Sequence, residues 1–417
     1  MTERALLLVT PKTYRAQAFI DAAHKLNVEV VKAVDVPDDL AEPWHDAFAV
    51  RFGHVEAAAE KIVAAAQAHP FAAILSVDDS ASLVAAQACQ QLGLPHNSPH
   101  AAEAARNKHL MRTLLKQGGV QVPNFTLFHT ADDLSRIVSQ VTFPCVVKPL
   151  DLNGSRGVIR ADDAAQLDVA IKRLTKLLYA LDPSPEPKPF LIEDFIPGFE
   201  VAVEGLLDHG QMKVLALFDK PDPLDGPFFE ETIYVTPSRL PLAVQQVIFD
   251  CAEDSARALG LREGPMHAEL RVNDRGAWLV EVAGRSIGGL CSQTLRFAQS
   301  ADVTLEELIL RQALGLSLET LEREKQAGGV MMIPIPGEGL LRAVDGVEDA
   351  KAVTGIEDVE ITARLNYPIV PLPEGESYLG FIFARGDTPE LVEAALREAH
   401  SKLRFRINPV IQLTLSK

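Results

Sequence analysis

The chain has 417 residues, a length that predicts about two to four domains, each large enough for its own core. Hydrophobic residues make up 47% of the chain and charged residues 23%, as in ordinary globular proteins. The 40 basic and 57 acidic residues give a net charge of -17, which argues against nucleic acid as the main partner.

Cysteine usage and hydropathy predict a soluble, cytoplasmic protein. The four cysteines are far apart and form no CxxC motif, so we expect reduced thiols and neither a zinc site nor a disulfide framework. The apolar run near the amino terminus is too short for a signal peptide, and no stretch approaches the ~20 apolar residues of a membrane span. We therefore expect no membrane partner.

Residues 1–96 are predicted to alternate strands and helices. The segments ALLLV, VEVVKAV, DAFAVRF and FAAILSV have the apolar runs of buried strands, and segments with helical spacing lie among them. This alternation predicts a parallel, doubly wound sheet. The first turn between strand and helix, VTPKTYRA, lacks the GxGxxG fingerprint. We therefore expect a Rossmann-like domain that does not bind NAD.

The rest of the chain is predicted to become mostly antiparallel. The segment AAEAARNKHLMRTLLKQGG is predicted to be one helix that ends at its glycines. Strands NFTLFH and FPCVVKPL follow, then a helix over about 163–181, and antiparallel strands from FLIEDF onward with a helix over about 241–259. A strand-rich last segment ends in TPELVEAALREAHSKL, a helix with a threonine cap and a proline at its first position.

The stretch FPCVVKPLDLNGSRGV combines a lysine with a glycine-containing loop. An apolar strand ends in Lys148, and residues 151–157 then form the loop. Small residues let backbone amides approach a polyanion closely, which favours a mobile loop over phosphate groups. It is not a Walker A loop, because GxxxxGK[ST] is absent. An ordinary hairpin loop with one snorkelling lysine is the alternative.

The stretch FLIEDFIPGFEVAVEGLL contains an acidic residue before a kink. Glu193 precedes the kink, and Glu200, Ala202 and Glu204 share one face of the following strand. Backbone groups freed at the kink suit a planar heterocycle, and a nearby carboxylate suits a ribose diol. A solvated acidic strand face is the alternative.

The stretch HAELRVNDRGAWLVEVAGR, residues 267–285, is predicted to form a β-hairpin around its DRG turn. A three-residue loop places Asn273 opposite Ala277, and Glu269 then lies opposite Glu281. The predicted core face of the hairpin is wholly apolar and consists of Met266, Ala268, Leu270, Val272, Trp278, Val280 and Val282.

The facing glutamates need a positive charge between them, because like charges directly opposite on a sheet repel. Neutralisation by Arg271 and His267 on a wet surface is one interpretation. The other is a hard divalent cation, held by both carboxylates and completed by phosphate oxygens.

These stretches, in this order, resemble the ATP-grasp superfamily with its preceding Rossmann-like domain, over about residues 5–320. The resemblance includes NKHLMRTLLKQGGVQVP, VVKPLDLNGSRGV, LIEDFIPGFEVAVEG and MHAELRVNDRGAWLVEVAGRSIGG. Within the superfamily, EVAGRSIGG and YLGFIFARGDTPELVEAALREAHSKL resemble the substrate-side motif and the C-terminal cap of L-amino-acid ligases, which make dipeptides and related amides.

The resemblance implies an α/β and α+β fold of four domains. They are a Rossmann-like domain (1–96), an ATP-grasp subdomain with the phosphate-binding lysines and glycine loop (97–190), an ATP-grasp subdomain with the adenine hinge and metal hairpin (191–326), and a small α+β cap (327–417).

The resemblance also implies the ligand sets. ATP phosphates would be contacted by Lys108 and Lys148 under a loop of Gly154, Ser155 and Gly157. Adenine would be held by Glu193, Asp194, Phe195 and Ile196, and the ribose by Glu200. Mg²⁺, with Mn²⁺ as an alternative, would be bound by Glu269 and Glu281. Ala283 stands where many members have a further asparagine, so no third protein ligand is implied.

The activity implied is that of an ATP-dependent carboxylate–amine ligase. A carboxylate attacks the γ-phosphate to give an acyl phosphate, and an amine then displaces phosphate. Arg285 would clamp the carboxylate or the phosphoryl group, and His267 would stabilise the oxyanion. A salt bridge from Arg285 to a glutamate on the same hairpin face and a structural role for His267 are the alternatives.

The remaining expectations concern substrates and partners. The long loop 219–241 contains three candidate substrate residues, Lys220, Glu231 and Tyr234. A packed connector is an equal interpretation of this loop. Gly288, in the ligase-like motif, is a fourth candidate substrate residue. Partners are ATP and small-molecule carboxylate and amine substrates, and a homodimer is a family-level expectation. The rival functions are a purine-pathway or carboxylase-type ATP-grasp enzyme and a non-catalytic ATP-binding sensor.

Overall fold

The computed structural model describes residues 3–40, 47–298, 302–318, 321–375 and 377–409. The first layer is a parallel sheet of order β3-β2-β1-β4 flanked by helices, as predicted. Its elements are β1 (Arg4–Val9), α1 (Ala16–Lys25), β2 (Glu29–Asp35), β3 (Ala47–Val50), α2 (Val55–Ala68), β4 (Ala73–Ser76) and α3 (Ser82–Leu92). Leu7 packs in the core cluster on one face of β1, and Leu6 and Leu8 pack in the cluster on the other. Burial on both faces explains the continuous apolar run of this strand.

Asn107 breaks the single helix that the sequence predicts over its AAEAARNKHLMRTLLKQGG segment. Two helices form instead, α4 (Pro99–Arg106) and α5 (Lys108–Gln117). The Asn107 side chain accepts hydrogen bonds from the amides of His109 and Leu110, which is an N-cap that competes with continuation of the helix. The prediction of one helix was wrong, and the break places Lys108 in the first turn of α5.

A four-stranded antiparallel sheet of order β5-β8-β6-β7 follows. Its elements are β5 (Phe125–His129), α6 (Leu134–Val138), β6 (Cys145–Pro149), β7 (Ile159–Ala161), α7 (Ala164–Leu181) and β8 (Pro189–Asp194). Leu167, Leu174 and Leu177 of α7 pack in the same core cluster as Val147 and Ile192 of the sheet. The glycine loop, residues 151–157, connects β6 to β7.

An eight-stranded sheet, β13-β12-β9-β10-β11-β16-β20-β18, forms the centre of the molecule, and a small β19-β17-β21 sheet lies beside it. The elements are β9 (Phe199–Asp208), β10 (Gln211–Asp219), β11 (Ile233–Thr236), α8 (Leu242–Leu259), β12 (Gly264–Asn273), β13 (Gly276–Ala283), β14 (Arg296–Phe297), β15 (Val303–Thr304), α9 (Leu305–Ala313), β16 (Ala327–Ile333), β17 (Gly339–Asp345), α10 (Val347–Lys351), β18 (Ile356–Glu360), β19 (Pro368–Ile369), β20 (Gly380–Gly386), α11 (Pro389–Lys402) and β21 (Arg404–Asn408). Strands from the predicted cap thus extend the central sheet.

Two further features of the central region bear on the predictions. The predicted loop 219–241 contains strand β11, in which Ile233 and Val235 are buried and Tyr234 pairs with Val330 of β16. The prediction of a continuous loop was therefore wrong at these residues. Thr388 caps α11 through its side chain, as predicted. Within the described ranges, no helix is both long and apolar enough to cross a membrane.

The β12–β13 hairpin brings Glu269 opposite Glu281, as predicted, but through a different register at its turn. Asn273 pairs with Gly276, not with Ala277, so the predicted turn register was wrong. A β-bulge between the turn and the glutamates restores the predicted offset, because it inserts one extra residue in β13.

The bulge also changes which hairpin side chains face the core. Ala277 and Leu279 pack in the core cluster with Leu270, whereas Trp278 and Val280 do not belong to it. The predicted core face was wrong for Trp278 and Val280, since a shift of one residue moves side chains to the opposite face.

Candidate active site

Two adjoining cavities lie between the β5-β8-β6-β7 sheet and the central sheet. The hinge cavity is lined by Lys108, Val146, Lys148, Ser155, Val158, Glu193, Asp194, Phe195, Ile196, Glu200, Phe229, Glu269, Arg271, Val280 and Glu281. The arginine cavity is lined by Asn153, Gly154, Ser155, Glu231, His267, Glu269, Glu281, Ala283 and Arg285. Ser155, Glu269 and Glu281 line both. The facing glutamates therefore stand where the two cavities meet.

Lys148, at the end of β6, belongs to a buried cluster with Glu193 and Arg112. Lys148 Nζ contacts Glu193 Oε1, while Arg112 donates from Nε to Oε2 at 2.8 Å and from Nη2 to Oε1 at 3.1 Å. Burial lowers the pKa of Lys148, and Glu193 opposes this. Burial would raise the pKa of Glu193, but Arg112 and Lys148 outweigh it and lower that pKa to about 2. The ionised carboxylate thus binds Lys148 through Oε1 and Arg112 through both oxygens.

Lys108 connects the glycine loop to the hairpin. Its Nζ donates to the Leu152 carbonyl at 2.8 Å and to Glu281 Oε1 at 3.0 Å. Gly154 and Gly157 have φ of +61° and +73°, a left-handed backbone that suits glycine. A Cβ at Gly157 would also lie 3.0 Å from Leu174. The loop is thus shaped to present backbone near Lys108 and the facing glutamates.

The hinge after β8 is held by backbone and aromatic contacts. The amides of Asp194 and Phe195 donate to the carbonyls of Asn124 and Pro144, at 3.0 and 2.9 Å. The Phe195 ring lies 4.2 Å from the Arg160 guanidinium carbon and 4.9 Å from that of Arg271. No described residue accepts a hydrogen bond from the Ile196 amide. Unlike the amides of Asp194 and Phe195, the Ile196 amide could therefore donate to a heterocycle.

Lys220 is buried among three carboxylates. Its Nζ donates to Glu200 Oε1 at 2.8 Å, contacts Glu231 Oε1, and lies 3.4 Å from Glu269 Oε2. Burial would lower the pKa of Lys220, but these carboxylates outweigh it and raise that pKa. Burial, with Glu269 nearby, raises the pKa of Glu231 to about 7, and Tyr234 donates to Glu231 at 2.7 Å. Lys220 thus connects the hinge cavity to the arginine cavity.

His267 is buried between two carboxylates. Its Nδ1 lies 3.0 Å from Glu204 Oε2, and its Nε2 lies 3.5 Å from Glu269 Oε1. Burial would lower the pKa of His267, but the two carboxylates raise it to about 9. The imidazolium form is thereby favoured, which is the form that donates from both nitrogens.

Arg285 contacts the N-terminal layer. Its Nε and Nη2 lie 2.8 and 2.7 Å from Asp79 Oδ2, and its Nη1 donates to the Ser286 carbonyl at 2.7 Å. Burial would lower the pKa of Arg285, but Asp79 outweighs it and raises that pKa. The predicted alternative, a salt bridge to a glutamate on the same hairpin face, was wrong: the partner is an aspartate of another layer.

Most of the predicted site residues come together. Gly157, Lys220, Tyr234 and Gly288 do not line either cavity, although Lys220 and Tyr234 contact Glu231, which does. The roles of all these residues remain predictions.

Sequence reasoning missed Arg112 and Asp79. Arg112 lies four residues after Lys108 on α5, a spacing that places both on one helix face. Asp79 follows β4 at the carboxyl edge of a parallel sheet, where ligand sites concentrate. Both signals were available in the sequence.

Three segments of the chain match known protein-domain families, and together they include most of its residues. Residues 20–96 match an ATP-grasp N-terminal domain, residues 141–294 an ATP-grasp domain, and residues 331–408 the L-amino acid ligase C-terminal domain 2. The chain is 24% identical over 413 residues to the uncharacterized protein y4rH of Sinorhizobium fredii, covering 98% of this chain and 84% of that protein.

Characterised relatives include ligases. The chain is 28% identical over 289 residues to alanine–anticapsin ligase of Bacillus subtilis, a match that covers 63% of this chain and only 60% of that protein. The solved structure of L-amino acid ligase from Bacillus licheniformis superposes with a TM-score of 0.82 at 26% identity, covering 98% of this chain and 99% of that chain. N5-carboxyaminoimidazole ribonucleotide synthetase from Thermotoga maritima, at 16% identity, TM-score 0.70 and coverage of 98% and 100%, shares the fold alone.

Proposed function

We propose that this chain, which belongs to the ATP-grasp superfamily, is an ATP-dependent ligase of the carboxylate–amine class. It would join an amino acid carboxylate to an amine or a second amino acid. The bond formed is an amide, made through an acyl phosphate, with release of ADP and phosphate. ATP and two small molecules are then its ligands. A homodimer stays a prediction.

The observation that carries the proposal is the junction of the two cavities at Glu269 and Glu281. The hinge cavity offers a backbone hinge, a carboxylate at Glu200 and the Lys148 ammonium, which together suit a base, a ribose and phosphates. The arginine cavity offers two cations, at His267 and Arg285, which suit a carboxylate. A γ-phosphate at the junction would therefore meet a carboxylate from the opposite side, as in-line transfer requires.

Glu269 and Glu281 would hold a divalent cation. They lie opposite each other, their side chains are 21% and 29% exposed, and their charge is met by Lys220 at 3.4 Å and Lys108 at 3.0 Å. Such a pair of carboxylates fits a hard cation, while Ala283 offers no further ligand. When bound, the cation would supply charge neutralisation to the phosphates. The ammonium groups of Lys108 and Lys148 would neutralise the same phosphate charge.

The first step is attack of a carboxylate oxygen on the γ-phosphorus. A new O–P bond forms, the bond to the β,γ-bridging oxygen breaks, and ADP leaves. Arg285 would align the carboxylate, because a guanidinium matches the two oxygens of that group. Lys148 is held by Glu193, so its ammonium is fixed before the phosphates arrive.

The second step is attack of an amine nitrogen on the acyl carbon. The tetrahedral oxyanion would be stabilised by His267, which the carboxylates of Glu204 and Glu269 keep protonated. Collapse breaks the acyl C–O bond to phosphate, and the nitrogen loses its proton. Water must be excluded, since it would hydrolyse the acyl phosphate. The glycine loop, whose Gly157 amide donates to the Pro373 carbonyl at 2.7 Å, would exclude water by closing over this region.

The test is phosphate release from ATP and magnesium across all pairs of L-amino acids, beside Glu281→Ala. Release that requires a particular pair, yields an amide by mass spectrometry and disappears in the variant is the expected result. Phosphoribosylamine- or bicarbonate-dependent release would instead favour a purine-pathway or carboxylase-type enzyme. ATP binding without turnover for any pair would contradict ligation of two amino acids and would favour a non-peptide amine, a different acid or a non-catalytic sensor.

A further inference from the structure

Asp79 lies in the N-terminal layer but contacts a side chain of the candidate active site. It begins a single 3-10 turn after β4, at the carboxyl edge of the parallel sheet. Its side chain is 93% buried, since the residue is only 7% exposed. A buried carboxylate requires a partner, and its partner is Arg285.

The contact fixes the orientation of the Arg285 guanidinium. Nε and Nη2 both lie within 2.8 Å of Asp79 Oδ2, and Nη1 donates to the Ser286 carbonyl at 2.7 Å. Each of the three nitrogens is thus tied to a protein oxygen. N–H bonds remain on both terminal nitrogens, and the side chain lines the arginine cavity. A clamp held in this way needs no reorganisation when an anion binds.

The charged groups around Arg285 give Asp79 a second effect on the position of the guanidinium. Arg15 is a buried neighbour whose pKa is lowered first by burial and then by repulsion from Arg285, and its Nη2 donates to Ser286 Oγ at 2.7 Å. Glu281, which lines the arginine cavity, and the buried Glu204 also attract Arg285. Without Asp79, repulsion from Arg15 and attraction to Glu281 would both move the guanidinium towards the facing glutamates. Asp79 opposes that movement.

We propose that Asp79 is a positioning residue: it holds the Arg285 guanidinium at the acyl side of the site and away from the facing glutamates. The N-terminal layer thereby supplies part of the reaction's geometry. This inference rests on the proposed ligase function. Asp79 does not line either cavity, so it acts only through Arg285.

The test is a double-mutant cycle of Asp79→Asn and Arg285→Ala, with kcat measured at saturating substrates. Arg285→Ala should lower kcat by about 10²- to 10³-fold, the effect of removing one preorganised donor. Asp79→Asn should lower kcat by about 10- to 100-fold, the range seen when outer partners of a functional group are removed. The double variant should match Arg285→Ala within about 2-fold, because Asp79 has nothing left to position.

Asp78→Asn is the matched control, since Asp78 accepts from Thr10 and Thr13 at 3.0 and 3.2 Å and does not pair with Arg285. It should lower the unfolding midpoint without the loss of kcat. Losses that multiply in the double variant, or an Asp79→Asn enzyme with the wild-type kcat, would overturn the proposal.

A crystal structure of Asp79→Asn tests the placement separately from turnover. The guanidinium of Arg285 should shift towards Glu281, whereas an unmoved guanidinium would overturn the inference. If Asp79→Asn does not fold, Asp79→Glu replaces it, with a smaller loss of kcat expected and a wild-type kcat counting against the proposal. Wild-type protein that ligates no amino acid pair would instead refute the proposed function.

Discussion

Replacement of Glu193 by glutamine tests the buried cluster that holds Lys148. Glu193 and Arg112 have side chains 2% and 0% exposed, and glutamine would leave Arg112 and Lys148 buried without their carboxylate. Removing one partner of a buried ion pair costs about 3–5 kcal/mol. The pKa of Glu193 falls from 4.5 to about 2 on folding, and a shift of that size corresponds to about 3 kcal/mol at neutral pH.

The same pKa shift fixes how the loss depends on pH. The folded pKa of Glu193 lies below the unfolded value, so its stabilisation is complete above pH 4.5 and is lost as the pH falls towards about 2. At one pH unit below the unfolded pKa, about 1.4 kcal/mol should already be lost. The difference in unfolding free energy between wild type and Glu193→Gln should therefore shrink by that amount between neutral pH and about pH 3.5.

The assay is urea unfolding at both pH values, monitored by tryptophan fluorescence. One of the two tryptophans, Trp278, is next in sequence to Leu279 and close to Val280, whose carbonyls accept from Arg112. Glu398→Gln is the control, because Glu398 is 59% exposed and its ion pair with Lys402 spans 3.6 Å. It should change stability by less than about 0.5 kcal/mol. A Glu193→Gln loss below about 1 kcal/mol, or one that does not change with pH, would refute the reasoning.

Three further predictions concern the site and its supports. Glu281→Gln should abolish ADP release and weaken magnesium-dependent ATP binding in calorimetry, with metal-free binding retained; unchanged magnesium dependence would contradict the metal assignment. Two 2.8 Å contacts between Glu374 and Arg173, whose side chains are both 39% exposed, tie to α7 the segment whose Pro373 carbonyl accepts from the Gly157 amide. Glu374→Gln should loosen that segment, raise the KM for ATP by less than about 5-fold and speed proteolysis of the glycine loop, whereas an unaltered cleavage rate would mean that the pair does not restrain the loop. Asn107→Ala removes the cap of α5, so it should lower the free energy of unfolding by about 1 kcal/mol and raise the KM for ATP by displacing Lys108. Its control, Ser98→Ala at the cap of α4, should lower the free energy of unfolding without changing the KM.

Local chemistry made much of the fold predictable. The alternation of strands and helices over residues 1–96 predicted the parallel sheet, and the register assumed at the DRG turn predicted that Glu269 faces Glu281. The errors came from single residues that choose between near-equal local structures. Asn107 caps a new helix where periodicity would continue the old one. The hairpin turn and its bulge offset each other, so a wrong register at the turn still gave the right pairing at the glutamates.

The site was predictable where its residues sit in one motif and not where distant segments meet. Lys148 and Glu193 were identified from separate motifs, but no pattern in the sequence states that they touch each other and Arg112. The Asp79–Arg285 pair joins residues 206 positions apart. Such contacts depend on how layers pack, which periodicity and motif spacing do not determine.

Transfer of oxygen-18 from the substrate carboxylate to phosphate tests the central claim most directly. An amino acid labelled in its carboxyl group would be incubated with ATP, magnesium and the accepted amine, and the released phosphate analysed by mass spectrometry. An acyl phosphate intermediate predicts one carboxyl oxygen in each phosphate released and the other in the amide. Unlabelled phosphate released together with ADP would contradict it, because the phosphoryl group would then have gone to water.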